Sequence, residues 1–236
     1  MTAHLRFPAF PLRSAEDFQR FAAENRALLD ERLRQEMLFI REGQLVRAGT
    51  CGACLAVTHF TSDTATSHGA YDPGQQICDC AARLSAHRRA LLHLAGASFG
   101  GRDWFRLGLF GQDAPLALKL ATLCPPAWVW PKTQAKPAAT HMVLSVDTLS
   151  TVPDPGTALA WIAESLMPGG LFLFTLPFDP AARDKQPPLA GSPRRFGWDI
   201  LDRVRDAGFQ DCVAHCYWSG ELGLLGPDAM IFKAFR

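Results

Sequence analysis

Two close pairs of cysteines are the residues best suited to chemistry: Cys51-Gly-Ala-Cys54 and Cys78-Asp-Cys80, with residues 55–77 between them. Each pair offers two thiolates from one tight turn, and the intervening loop lets the pairs face each other, as a tetrahedral zinc ion requires. His59 and His68 lie in that loop and are able to replace one sulfur. Two other chemistries compete. A thioredoxin-type redox pair opens a helix in a βαβ unit, whereas Cys51-Gly-Ala-Cys54 sits in a Gly- and Thr-rich stretch. Unligated thiols that pack as small hydrophobes are the third reading. A closed set of four thiolates leaves no open coordination position, so a zinc ion here is structural and not catalytic. Structural zinc binds small modules with about 10–16 kcal/mol, against about 5–15 kcal/mol for a whole domain. A loop-rich segment of this kind therefore depends on its metal to fold. Cys124, Cys212 and Cys216 fall at helix-end or strand positions and read as core residues.

The rest of the chain must position this cluster and whatever else acts. It has 236 residues, 48% hydrophobic and 20% charged, with 24 Lys+Arg against 23 Asp+Glu. Such a chain buries a full core without disulfides. The near balance of charge argues against a nucleic-acid binder, which needs a cationic surplus to neutralise phosphates. No uncharged run reaches the roughly 20 residues of a membrane span; Leu166–Phe178 is short and broken by Pro168-Gly169-Gly170. The opening segment has no continuous apolar stretch of a secretory leader. The expected compartment is the cytosol, where thiols stay reduced.

Residues 14–40 read as an amphipathic helix, with Ser14 as N-cap and Glu16 and Asp17 in the first turn. Residues 44–80 read as a small module that is neither helix nor regular sheet, and residues 81–97 as a second helix. From about Arg102 strands and helices alternate. Strands are expected at 105–110, 127–130, 141–146, 171–176, 212–218 and 230–235, and helices at 115–122, 157–166 and 198–207. The central strands show no alternation, as when helices cover both faces. The pattern implies a mostly parallel α/β sheet of about six strands, closed by an antiparallel pair at one end. Three units follow: a helical segment over 1–44, the four-cysteine module with its connecting helix over 45–98, and the α/β unit over 99–236. Pro180–Arg195 forms a long polar loop.

The run HMVLSVDTLSTVPDPGTALAWIAESLMPGGLFLFTLPF, residues 141–178, resembles the middle of class I S-adenosylmethionine-dependent methyltransferases. The matching elements are a strand ending at Asp147, a helix after Pro155, and Leu166-Met-Pro-Gly-Gly before the next strand. RFGWDILDRVRDAGF (195–209) resembles the last helix of that fold, followed by its terminal strand pair. The cysteine segment resembles a zinc module found ahead of some such enzymes. The resemblance implies a Rossmann-like methyltransferase sheet, S-adenosylmethionine as cofactor, and a small or modified metabolite as substrate. It places Gly111 and Gln112 near the amino-acid end of the cofactor and Asp147 at the rim. It also implies structural zinc on Cys51, Cys54, Cys78 and Cys80.

The stretch that should hold the cofactor departs from the pattern. Gly108 and Gly111 do not make a Gly-x-Gly-x-Gly turn, and the second strand ends in Trp130-Pro131-Lys132 with no carboxylate. Only ten residues, 131–140, separate Trp130 from His141, too few for a third strand and its helix. Trp128 and Trp130 read as packing residues able to stack on a ligand. His141 reads as a half-buried structural histidine, and Arg194 and Arg195 as a solvated face that can meet an anion. No catalytic base is evident. Two functions remain open: a methyltransferase, and a catalytically silent relative that binds a partner protein through the same crevice.

Overall fold

A serine, an asparagine and a proline set the start of the chain. In a computed structural model, which describes residues 9–38, 40–41, 44–63, 76–99, 104–131, 138–182, 193–226 and 229–236, strand β1 (Ala9–Leu12) precedes helix α1 (Ala15–Glu24). The Ser14 hydroxyl caps α1 by accepting from the Asp17 N–H at 3.1 Å. The single helix expected over 14–40 is two. Asn25 ends α1 by turning both its backbone N–H and its Nδ2 onto the Phe21 carbonyl, and α2 (Arg26–Leu38) follows.

The second correction concerns residues 44–80, whose described part does form a regular sheet. Strands β2 (Ile40–Arg41), β3 (Gln44–Cys51), β4 (Ala56–Asp63) and β5 (Ile77–Cys78) pair antiparallel in that order. Helix α3 (Ala86–Phe99) then leads into β6 (Leu107–Phe110), α4 (Ala114–Leu123), β7 (Trp128–Trp130) and β8 (Thr140–Val146). After a 3-10 turn at Thr148–Ser150 come α5 (Pro155–Ser165), β9 (Leu166–Thr175), α6 (Asp199–Asp206), β10 (Asp211–Tyr217) and β11 (Met230–Phe235). Asp113 and Asp154 cap α4 and α5, each with a proline in the first turn. Gly208, at φ +106, takes the left-handed turn out of α6.

The large sheet runs β1-β10-β11-β9-β8-β6-β7. Strands β7, β6, β8 and β9 are parallel neighbours, while β11 enters antiparallel between β9 and β10, and β1 closes the edge antiparallel to β10. This is the mostly parallel, Rossmann-like α/β arrangement, with seven strands where about six were expected. Val143 lies directly beside Phe172 in adjacent strands. Among the described residues β7 ends the sheet. The extra strand, β1, contains Pro11, which a sheet edge tolerates because no partner needs its missing N–H.

Alternate residues of the central strands point to opposite cores. Val143, Phe172 and Phe174 join α5 and α6 on one face, with Phe174 stacked on Phe172 and Phe232 at 4.4 and 5.1 Å. Met142, Leu144 and Leu173 meet α3 and α4 on the other. Both sets are apolar, which is why the sequence shows no alternation. Pro168-Gly169-Gly170 forms an irregularity inside β9, where Gly169 at φ +77 donates its N–H to the Arg236 carbonyl at 2.7 Å.

Gly108 is required where β6 meets β7. A Cβ there would lie 2.1 Å from Cζ2 of Trp128, whose indole N–H is fixed on Thr140 Oγ1 at 2.9 Å. Gly108→Ala is therefore expected to cost at least about 1–3 kcal/mol by overpacking, read as a lower midpoint in chemical unfolding. An unchanged midpoint would contradict this packing.

Candidate functional site

The cysteines converge from two strand ends and the turns that follow them. Cys51 ends β3, and the Leu55 N–H returns to its carbonyl at 2.7 Å, so Cys54 is folded back beside it. Cys78 ends β5, and Cys80 follows in a turn closed by the Arg83 N–H on the Cys80 carbonyl. All four sulfurs lie within 4.8 Å of one another, Cys51 and Cys78 buried, Cys54 and Cys80 half-buried. All seven cysteines are free thiols. His59 is exposed on β4, outside the sulfur cluster, and His68 lies outside the described residues. Cys212 and Cys216 are buried, and Cys124 is half-buried at the end of α4.

A backbone N–H and a buried cation lie beside this cluster. The Leu84 N–H donates to Cys78 Sγ at 3.3 Å. A hydrogen bond from the Cys51 thiol, the Leu84 N–H and the Arg89 charge hold the Cys78 thiol below its ordinary range against the effect of burial. The shared proton and burial push Cys51 up. Arg89 of α3 is buried, 1% exposed, and its hydrogen-bond partners among the described residues are backbone carbonyls. Its guanidinium donates to the carbonyls of Gln76 and Leu84, each at 2.7 Å, and of Gly223 at 2.6 Å, and lies 4.4 Å above the Phe60 ring. Gly52 abuts the same helix, since a Cβ there would lie 2.4 Å from His93 Nδ1.

A second feature lies at the carboxyl ends of the parallel strands, a cavity of about 920 Å³. Gln112 after β6, Trp130 at the end of β7, Asp147 after β8 and Phe178 after β9 all line it. Trp130 is held by stacking on Phe110 at 4.7 Å, while Trp128 is buried in the core. Gly111 has φ +123, and the space a side chain would take is filled by Thr148, whose hydroxyl lies 3.1 Å from the Phe110 carbonyl. The turns after β6 and β8 are thereby fixed to each other. Pro131 follows Trp130 without a carboxylate, and Lys132 lies outside the described residues.

Asp147 adopts a left-handed conformation, φ 54, which turns its carboxylate back along the sheet. Its Oδ1 accepts from the Thr175 hydroxyl at 2.9 Å, and its Oδ2 lies 3.7 Å from Nδ1 of His87, in the first turn of α3. Burial works to raise the pKa of this carboxyl, but His87, Thr175 and Arg88 outweigh it and keep the group below the usual carboxylate range. Arg88 itself is paired with Asp113 at 2.8 Å. His87 also lines the cavity. Sequence reasoning passed over His87, because only the packing of α3 against β8, β9 and β11 brings it to the strand ends. Arg195 is exposed at the cavity, whereas Arg194 reaches the Val152 carbonyl at 3.3 Å. His141 is structural, its Nδ1 accepting the Arg106 N–H at 3.0 Å.

No protein-family model and no curated protein matches the chain. Among solved structures it is similar to an S-adenosylmethionine-dependent methyltransferase from Mesorhizobium loti, with 15% identity, TM-score 0.41, and coverage of 61% of this chain and 97% of that one. A methyltransferase of Thermotoga maritima described as a possible histamine N-methyltransferase matches with 16% identity and TM-score 0.35, over 55% of this chain and 72% of that one. A chain from a complex between the Haloferax volcanii Trm112 methyltransferase activator and a putative methyltransferase matches with 12% identity and TM-score 0.40, over 61% and 76%. At such identities the likeness extends to fold alone.

Proposed function

We propose that this chain is an S-adenosylmethionine-dependent methyltransferase acting on a small molecule, with a structural zinc ion on Cys51, Cys54, Cys78 and Cys80. The observation that carries the first part is the position of the cavity. From β6 the chain crosses to β7 on one side, and the next strand, β8, lies on the other side of β6. Loops that leave neighbouring strands in opposite directions open a crevice at their carboxyl ends, and open α/β sheets bind their ligands there. The volume is in the range that encloses small ligands, about 300–1,000 Å³.

The lining suits such a donor in most respects. Trp130 and Phe178 offer apolar faces to a purine, Gln112 lies at its amino-acid end next to the buried Gly111 that shapes the turn, and Asp147 stands at the rim. One contact is missing. Without a carboxylate after β7 for the ribose hydroxyls, about 1.5–3 kcal/mol of hydrogen bonding is lost, or roughly one to two decades of affinity. When bound, the donor supplies an electrophilic methyl group. The chain contributes orientation, holding the acceptor in line with the methyl carbon inside a walled site.

Support for the metal comes from the donor set. A zinc ion with sulfurs at 2.3 Å needs them about 3.8 Å apart, within reach of four thiols already inside 4.8 Å of one another. The buried Arg89 guanidinium and the Leu84 N–H offset the charge of thiolate ligands. Cys51 and Cys54 lie on a turn between two strands, which disfavours a thioredoxin-type role. In this reading the unit over 45–98 is clamped to the donor-binding unit over 99–236 through α3, and segment 1–44 contributes β1 to the sheet edge. No helix among the described residues is long and apolar enough to cross a membrane. The seven free thiols suit a reducing compartment such as the cytosol.

Isothermal titration of the purified chain with S-adenosylmethionine and with S-adenosylhomocysteine tests the donor site. Binding in the micromolar range is expected; absence of heat at millimolar ligand would overturn the assignment.

A further inference from the structure

We infer that His87 and Asp147 form a proton-accepting dyad at the wall of the crevice, so that the methyl acceptor is a neutral O–H or N–H group. This rests on the methyltransferase reading and deepens it. The argument is one of geometry. Asp147 Oδ1 accepts from the Thr175 hydroxyl at 2.9 Å, and Oδ2 faces His87 Nδ1 at 3.7 Å. A carboxylate that faces an imidazole nitrogen in this way can orient the ring and act through it. Asp147 is thus a positioning residue and His87 the catalytic one.

Pairing Nδ1 with a carboxylate places the imidazole proton on Nδ1 and leaves the Nε2 lone pair for a ligand in the cavity. The 3.7 Å separation is loose, as such contacts are before a substrate tightens them. The partners come from unrelated elements, the first turn of α3, the turn after β8 and the end of β9. Among the described residues, Arg88 beside the pair is bound to Asp113, and Arg195 is exposed at the cavity. In the transfer step the acceptor oxygen or nitrogen forms a bond to the methyl carbon as the carbon–sulfur bond breaks. That bond's electron pair goes to sulfur, giving a neutral thioether. The acceptor's proton passes to His87 Nε2, and the imidazolium so formed faces the Asp147 carboxylate. Proton transfer of this type contributes about 10²–10⁴-fold to rate. Thiolate or carboxylate acceptors need no such group.

Nitrogen-15 NMR of the intact chain, labelled at histidine, tests the dyad, with the His87 signals assigned by their loss in His87→Gln. In its neutral form His87 of wild type is expected to be a single tautomer, with the proton on Nδ1 and Nε2 bare. His141, whose Nδ1 accepts a backbone N–H, should show the opposite pattern and serve as internal reference. Asp147→Asn should abolish the single His87 tautomer and leave His141 unchanged. Thr175→Val, which frees one carboxylate oxygen without removing the charge, should shift the His87 ring signals and keep the tautomer; it carries the test if Asp147→Asn does not fold. Adding S-adenosylhomocysteine should move the His87 signals. A bare Nδ1 in wild type, or a His87 spectrum indifferent to Asp147→Asn, overturns the dyad. Calorimetry with the same ligand separates this from the donor reading: heat without movement of His87 removes the dyad alone, and no heat removes the methyltransferase.

Discussion

Cys78→Ser is expected to lower bound zinc from one ion per chain to none and to unfold the small sheet, with loss of soluble protein. Cys78 lies at the centre of this effect. Its sulfur is one of the four in the cluster, it accepts the Leu84 N–H, and its backbone N–H donates to the Leu84 carbonyl at 3.1 Å. The same residue thus joins the metal site to the start of α3. A structural site worth about 10–16 kcal/mol exceeds what a four-stranded sheet with many exposed side chains supplies for itself. The checks are metal content by mass spectrometry and thermal unfolding followed by circular dichroism. Treating wild type with a chelator should give the same loss, and added zinc should reverse it. His59→Ala, a change outside the sulfur cluster, should keep its metal. A metal-free wild type with an unaltered unfolding midpoint would remove the zinc from this account.

Arg89→Leu is expected to be the most damaging change outside the ligands, at about 3–5 kcal/mol, the usual cost of removing one partner from a buried charged arrangement. Leucine would leave the carbonyls of Gln76, Leu84 and Gly223 without this donor, at about 1–3 kcal/mol for each that stays unsatisfied. It would also leave the thiolates without the guanidinium that offsets their charge. Two segments distant in sequence, residues 76–84 and the turn at Gly223, would lose their common anchor. Chemical unfolding should show the loss, together with weaker zinc retention in competition with a chelator. Arg26→Ala, on an exposed side chain of α2, should stay within about 0.5 kcal/mol of wild type. Equal midpoints for the two variants would mean that Arg89 has no structural role.

Much of the α/β half was legible in the sequence because its local signals agree with its tertiary use. Asp113, Asp154 and Gly208 mark helix ends where the fold puts them, and the apolar runs between them are strands covered on both faces. The small sheet was missed for a physical reason. In β4, Val57 is 86% exposed while Thr58 and Phe60 are buried, so alternation is present but carries the wrong polarity. Strand β1 is four residues with a proline, below what pattern alone can assign. The four cysteines announced themselves by spacing. His87 could not, because it belongs to the crevice through helix packing, and a histidine beside two arginines reads only as a polar helix face.

The outermost pairing has a consequence for biosynthesis. Ala9 pairs with Tyr217 and Leu12 with Ala214, so β1 finds its place only after β10, far downstream, has left the ribosome. Contacts between such remote segments form late. Until they do, β10 presents bare N–H and C=O groups, a template on which another nascent chain can anneal. Pairing with residues 9–12 covers that edge, so replacing them is expected to lower soluble yield in the cell more than it lowers the unfolding midpoint of the purified protein.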